Sequence, residues 1–155
     1  MGWFDKYATG RIITEPLKIM LPIKPVTKKN SSRVVPLGKS GKFMVLPSAA
    51  YVQYEKDCAV FLCCKGKNIA CPVNIRALFF IDRDGECDAS NFYEALADML
   101  VKYKVLADDN RLIVVSWDGS RVFVDRKNPR TEVTIEPLDE AFQLSLTEEQ
   151  MEEDW

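Results

Sequence analysis

The chain of 155 residues contains no histidine. That absence removes imidazole as a general base and, with it, every Ser–His or Cys–His nucleophile pair. Also missing is any apolar run of 18 or more residues, so no segment reads as a membrane span. The opening residues Met1-Gly-Trp-Phe-Asp-Lys6 lack the charged-then-apolar layout of a secretory signal, and the expectation is a soluble, cytoplasmic protein. The five cysteines (Cys58, Cys63, Cys64, Cys71, Cys87) include no Cys-x-x-Cys pair. A zinc ribbon or redox motif therefore has little footing, and reduced thiols serving as small apolar residues fit better. Gly38-Lys-Ser-Gly41-Lys lacks the upstream glycine and the following Lys-Ser/Thr of a phosphate-cradling loop, and no organic cofactor is expected.

What the chain does have is enough apolar material, 47% of residues, for one domain with a real core. Its net charge of −2 conceals a strong asymmetry. Residues 139–155 hold 7 acids and no Lys or Arg, which leaves residues 1–138 with 21 basic against 16 acidic side chains. Within that body, residues 1–42 carry 9 basic residues and only Asp5 and Glu15 as acids. We therefore expect a folded unit over 1–138, with a basic N-terminal third suited to phosphate, followed by an acidic appendage over 139–155. The appendage either solubilises the chain, binds a basic protein partner, or covers the basic region in competition with its phosphate-bearing ligand.

Hydrophobic spacing predicts the elements. Arg11 to Ile23 reads as a strand in which Pro22 suggests an edge or an end, and Lys24 to Arg33 as a polar, basic loop. A turn at Gly38–Gly41 joins two short extended pieces. Ser48 is a suitable N-cap for a helix running to Cys63 or Cys64, with Tyr51, Tyr54, Cys58, Phe61 and Leu62 on one face. Cys71 to Ile81 is rich in β-branched and aromatic residues, the mark of a strand. A helix from about Ser90 to Tyr103 follows the Asp82–Gly85 turn. Leu112–Trp117 and Arg121–Val124 then read as a hairpin about Asp118-Gly119, and Arg130–Glu136 as a last strand. The expected fold is α+β, a single domain with a mixed sheet packed on two main helices.

The densest chemistry lies between Asp88 and Asp109. Asp88, Glu94, Asp98, Asp108 and Asp109 surround one helix, and Ser90, Glu94 and Asp98 share a face of it at four-residue steps. If the strand after Asp109 pairs beside the Cys71–Ile81 strand, Asp109 returns toward Asp88 and four carboxylates converge. Clustered carboxylates without imidazole or thiol favour hard cations, Mg²⁺ or Mn²⁺ before Zn²⁺. The same residues also serve ordinary ends: Asp88 or Ser90 as a cap, Glu94 and Asp98 as a wet helix face, Asp108-Asp109-Asn110 as a turn.

The run Asp88-Ala-Ser90-Asn91-Phe-Tyr-Glu94-Ala-Leu-Ala-Asp98-Met-Leu100, with the later Asp108-Asp109-Asn110, resembles the RusA family of Holliday-junction resolvases. It is similar to that family's Asp-x-Asp-Asn-Leu helix start, its Asp-x-Leu further along and its later Asp-Asp. Lys24-Pro-Val-Thr-Lys-Lys-Asn30 looks like the family's opening loop, which runs from a proline to an asparagine, and Pro129–Ile135 resembles its final strand. The resemblance implies a small homodimeric α+β nuclease of phage type that uses Mg²⁺ or Mn²⁺ to nick opposed strands of a four-way junction. It assigns metal binding to Asp88 and Asp109, the helix-start asparagine to Asn91 and a further aspartate to Asp98. Two positions depart: Ser90 stands where the family has an aspartate, and Glu94 where it has a lysine. We therefore expect catalysis from Asp88, Glu94 and Asp109, metal ligation from these with Asp98 and Asp108, and DNA contacts from Lys24, Lys28, Lys29, Asn30, Arg33 and Asn91. A non-catalytic junction-binding protein with a degenerate site is the alternative.

Overall fold

The computed structural model describes residues 10–28 and 33–138. The acidic segment 139–155, Lys29 and Asn30 lie outside the described residues. In chain order the elements are β1 (Leu17–Leu21), β2 (Arg33–Leu37), β3 (Lys42–Leu46), α1 (Ala49–Cys63), β4 (Val73–Ile81), α2 (Ala89–Lys102), β5 (Val114–Ser116), β6 (Arg121–Val124) and β7 (Arg130–Pro137). The main sheet runs β1-β7-β4, with β5 and β6 along the far edge of β4. β7 is antiparallel to both neighbours, whereas β5 and β6 are parallel to β4. The sheet is thus mixed, and the α+β architecture expected from the sequence is the one observed.

Period-2 patterning decides which face is covered. Val73, Ile75, Ala77 and Phe79 of β4 are buried, as are Thr131, Val133 and Ile135 of β7 and Ile19 and Leu21 of β1. Their registers coincide, since Ile75 faces Ile135, Ala77 faces Val133, and Val133 faces Ile19. Lys18, Met20 and Arg76, on alternate positions, remain exposed. Both helices close the buried face: α1 contributes Tyr51, Tyr54, Cys58 and Leu62, and α2 contributes Phe92, Ala95, Leu96, Met99 and Leu100. Each fully buried Leu, Ile or Phe in this layer stabilises the fold by roughly 1.5–3 kcal/mol. Ser48 caps α1 as predicted, its Oγ accepting the Tyr51 N–H at 3.1 Å. Phe61, expected on the inner face, is 37% exposed because the neighbouring Leu62 occupies the buried stripe.

Two predicted strands differ. The first is shorter than Arg11–Ile23, because Pro16 delays it to Leu17 and Arg11 instead bridges the loop at Ile69. There Arg11 donates to the Asn68 carbonyl and accepts from Ala70, both at 2.9 Å. The second difference is larger. Val114–Ser116 and Arg121–Val124 do not form a hairpin: Val114 pairs with Val73, while Arg121 to Val124 pair with Leu78 to Ile81. Together they make one edge strand of β4, interrupted by a jog at residues 117–120.

Buried Asn74 supplies the hydrogen bonds lost at the jog. Its Oδ1 accepts from Ser116 Oγ and from the Asp118 N–H, each at 2.7 Å, and its Nδ2 donates to the Asp118 carbonyl at 3.2 Å. Ser120 Oγ completes the patch, accepting the Ala77 N–H at 3.0 Å and donating to the Ile75 carbonyl. Gly119 is required here, since its φ is +81° and a Cβ would meet Arg76 Cδ at 2.9 Å. The Asp-Gly turn chemistry is real, but it bends an edge strand and does not join two partners.

Among the described residues β2 and β3 pair only with each other, about a turn with Gly38 and Gly41 at positive φ. This outlying ribbon leaves Val34, Phe43 and Val45 more than 60% exposed.

Candidate functional site

α2 brings the acidic run to the edge of the sheet. Asp88 occupies its N-cap position in extended conformation, but makes no side-chain capping hydrogen bond and is exposed. Along the helix that follows, Ser90, Glu94 and Ala97 form a wall of a cavity of about 360 Å³. Tyr93, Asp109, Val114 and Trp117 line the rest. Asp109 arrives because β4, α2 and β5 form a parallel crossover that returns the chain beside β4. The return is anchored by buried Val105 and Leu106, whose N–H groups donate to the Leu100 carbonyl, and by Ile69, which bonds Val105 and Ala107.

The loop before β5 is held by its own side chains. Asp108 Oδ1 accepts the Asp109 N–H at 2.8 Å and its Oδ2 accepts Asn110 Nδ2 at 3.1 Å. Asn110 Oδ1 accepts the Leu112 N–H at 3.0 Å. Asp108 therefore builds the turn that presents Asp109. Partial burial raises the proton affinity of Asp109 above that of an ordinary carboxyl, and the hydrogen bond and charge of Asp108, with the charge of Asp98, add to it.

The four-carboxylate convergence expected from the sequence does not form. Among the described residues, no group of three or more His, Cys, Asp or Glu stands close enough to hold a metal ion. Each acid has a separate situation. Asp98 pairs with Lys28 Nζ at 3.4 Å, Asp108 is engaged within its loop, and Asp88 does not line the cavity. Glu94 and Asp109 are the two acids that share it. Two carboxylates and the Ser90 hydroxyl are an all-oxygen donor set, and they fit Mg²⁺, which is usually held through one or two carboxylates and keeps several waters.

The expected DNA-binding residues are similarly divided. Lys28 is held beside the acidic face of α2 by Asp98. Lys24 pairs with Asp82 at 2.9 Å, and its ammonium holds the Asp82 carboxyl below the usual range. Arg33 is exposed at the start of β2. Asn91, expected at the DNA surface, is 8% exposed, because the position after Ser90 turns toward the core side of α2. Its backbone N–H donates to the Asp88 carbonyl at 3.1 Å.

Sequence reasoning assigned no site role to Tyr93 and Trp117, which form the cavity's aromatic wall. Their rings stack with centroids 5.2 Å apart and planes 8° from parallel, and Tyr93 stacks in turn on Phe79 at 5.8 Å. Part of this was readable: Tyr93 lies three residues after Ser90 and four before Ala97, the spacing of one helix face. Trp117 was hidden by the apparent hairpin. No protein-family model matches the chain and no curated protein matches it in sequence, so the resemblance to the RusA family rests on the Asp88–Asn110 residues themselves.

Proposed function

We propose that the chain is an endonuclease that cleaves four-way (Holliday) DNA junctions by phosphodiester hydrolysis, using a Mg²⁺ or Mn²⁺ ion held by Glu94 and Asp109. The observation that carries this reading is the shared cavity, which pairs a carboxylate of α2 with one from the loop before β5. Glu94 thereby takes the place of the acid that Ser90 does not supply. When bound, the ion would polarise a phosphoryl oxygen and lower the pKa of its water.

The chain's own groups do the remaining work. Asp108 fixes the loop from which Asp109 lines the cavity it shares with Glu94. Lys28, half-exposed at its ion pair with Asp98, is placed to exchange that carboxylate for a DNA phosphate. Lys24 and Arg33 add further basic groups, with Lys29 and Asn30 between them in the sequence, suited to binding backbone without reading sequence. Ala97, Val114 and Trp117 give the cavity an apolar side. A homodimer would set two such sites on opposed strands of a junction with approximate two-fold symmetry.

The test is incubation of the full chain with a labelled four-way junction in Mg²⁺, in Mn²⁺ and in EDTA, alongside Asp109→Asn and Glu94→Gln. Paired nicks that require metal and disappear in both variants support the reading. A second reading, a branched-DNA-binding protein without catalysis, is favoured by the lack, among the described residues, of any group of three or more His, Cys, Asp or Glu that could hold a metal ion. Tight junction binding with no nicks in either metal selects it.

A further inference from the structure

Phe79, Tyr93 and Trp117 form a ladder of rings that climbs from the core to the cavity. Phe79 is 1% exposed and belongs to β4, while Tyr93 and Trp117 are partly exposed. Tyr93 stacks on Phe79 on one side and on Trp117 on the other. Trp117 is therefore the outermost rung, and it lines the same space as Ser90, Glu94 and Asp109. Its position is fixed by the jog in the edge strand: Asn74 holds the residues on either side, and the Trp117 carbonyl accepts the Ser120 N–H at 3.1 Å. An indole held in this way needs little further ordering to receive a flat ligand.

We infer that Trp117, backed by Tyr93, is a stacking platform for one unpaired nucleobase carrying an exocyclic amine, seated beside Glu94 and Asp109. This rests on the branched-DNA reading and adds to it the part of the substrate that the cavity holds. Three features favour a base over other ligands. The near-parallel Tyr93–Trp117 pair extends naturally by another flat ring, and any base offers a π-face for such stacking. The cavity, about 360 Å³, falls at the lower end of the range that accepts small planar ligands. Its polar rim is acidic, so without a cation it repels phosphate, while carboxylates accept hydrogen bonds from the amino groups of cytosine, adenine or guanine. Thymine has no exocyclic amine, and its single imide N–H is flanked by two carbonyls that the carboxylates repel. Branch points are where bases most readily lose a stacking neighbour, which lowers the cost of bringing one out.

The experiment uses the full chain with Trp3→Phe and Trp155→Phe, so that Trp117 is the sole tryptophan. Junctions carrying one unpaired cytosine or one unpaired thymine at the branch point are titrated in EDTA, following indole emission and the anisotropy of a labelled DNA arm. We expect quenching of Trp117 on binding, tighter binding of the cytosine junction, and an approximately ten-fold affinity loss in Trp117→Ala that Trp117→Phe largely restores. Undiminished indole emission at saturation, with Trp117→Ala binding as tightly as its parent, overturns the platform and leaves the branched-DNA reading intact. Absence of junction binding by the parent chain overturns both. Quenching with metal-dependent cleavage absent keeps the platform and removes only the nuclease.

Discussion

Replacing Asn74 with Ala tests whether the edge of the sheet is built as observed, and the structure supplies the expected size of the effect. Asn74 is 5% exposed, and its side chain makes two bonds of 2.7 Å and two of 3.2 Å, the last to Glu136 Oε2. A hydrogen bond contributes about 0.5–1.5 kcal/mol net, and a buried partner left unpaired costs a further 1–3 kcal/mol. The Asp118 N–H and Ser116 hydroxyl lie near the surface, so water repairs part of that loss. We therefore expect Asn74→Ala to destabilise the chain by about 2–3 kcal/mol. With a urea m-value of roughly 1–3 kcal/mol/M, the unfolding midpoint should fall by about 0.7–3 M. Ser116→Ala removes only one of the bonds and should cost about 1 kcal/mol. Urea denaturation followed by circular dichroism measures both. A loss below about 0.5 kcal/mol in Asn74→Ala would refute the reasoning, because a hairpin about Asp118-Gly119 would not depend on this amide.

Three further outcomes can be checked. The fold raises the Asp109 pKa, so its stabilising contribution is present below the ordinary carboxyl range and lost as pH rises through the raised value. Asp109→Asn should accordingly raise the melting temperature at pH 7 by about 1–3 °C, and the difference should fade below about pH 3.5, measured by calorimetry. Lys28→Ala should weaken junction binding and reduce the slope of log K against log salt by about 1, whereas loss of affinity without a change in slope would exclude a phosphate contact. Removal of residues 139–155, with their 7 acids, should strengthen DNA binding at low salt and not at high salt if that segment competes for the basic region. Equal affinity at every salt concentration would exclude the competition.

Which parts of the molecule were readable follows from how local their causes are. β7 was legible because Thr131, Val133 and Ile135 alternate with polar residues, and α1 because Ser48 and the Tyr51–Tyr54–Cys58–Leu62 stripe are local signals. The β5–β6 arrangement was not legible, since the same Asp-Gly dipeptide serves a hairpin and a jog equally well. What separates the two is Asn74, which lies more than 40 residues away in sequence from its partners Ser116 and Asp118. The site divides in the same way. Helical spacing placed Ser90 and Glu94 on one face, and the crossover placed Asp109 opposite them. The diversion of Asp98 to Lys28, 70 residues distant, depends on a tertiary contact that no spacing rule contains, whereas the bonding of Asp108 to its own neighbours is the local turn that Asp108-Asp109-Asn110 suggested.

The central claim is that Glu94 and Asp109 form one divalent-metal site, and Mn²⁺ titration by calorimetry tests it most directly. The parent chain, Glu94→Gln, Asp109→Asn and Asp88→Asn would be compared at the same pH and salt. The account predicts Mn²⁺ binding by the parent, at least a ten-fold loss in Glu94→Gln and in Asp109→Asn, and a smaller loss in Asp88→Asn, which does not line the cavity. Unchanged affinity in both Glu94→Gln and Asp109→Asn would contradict it.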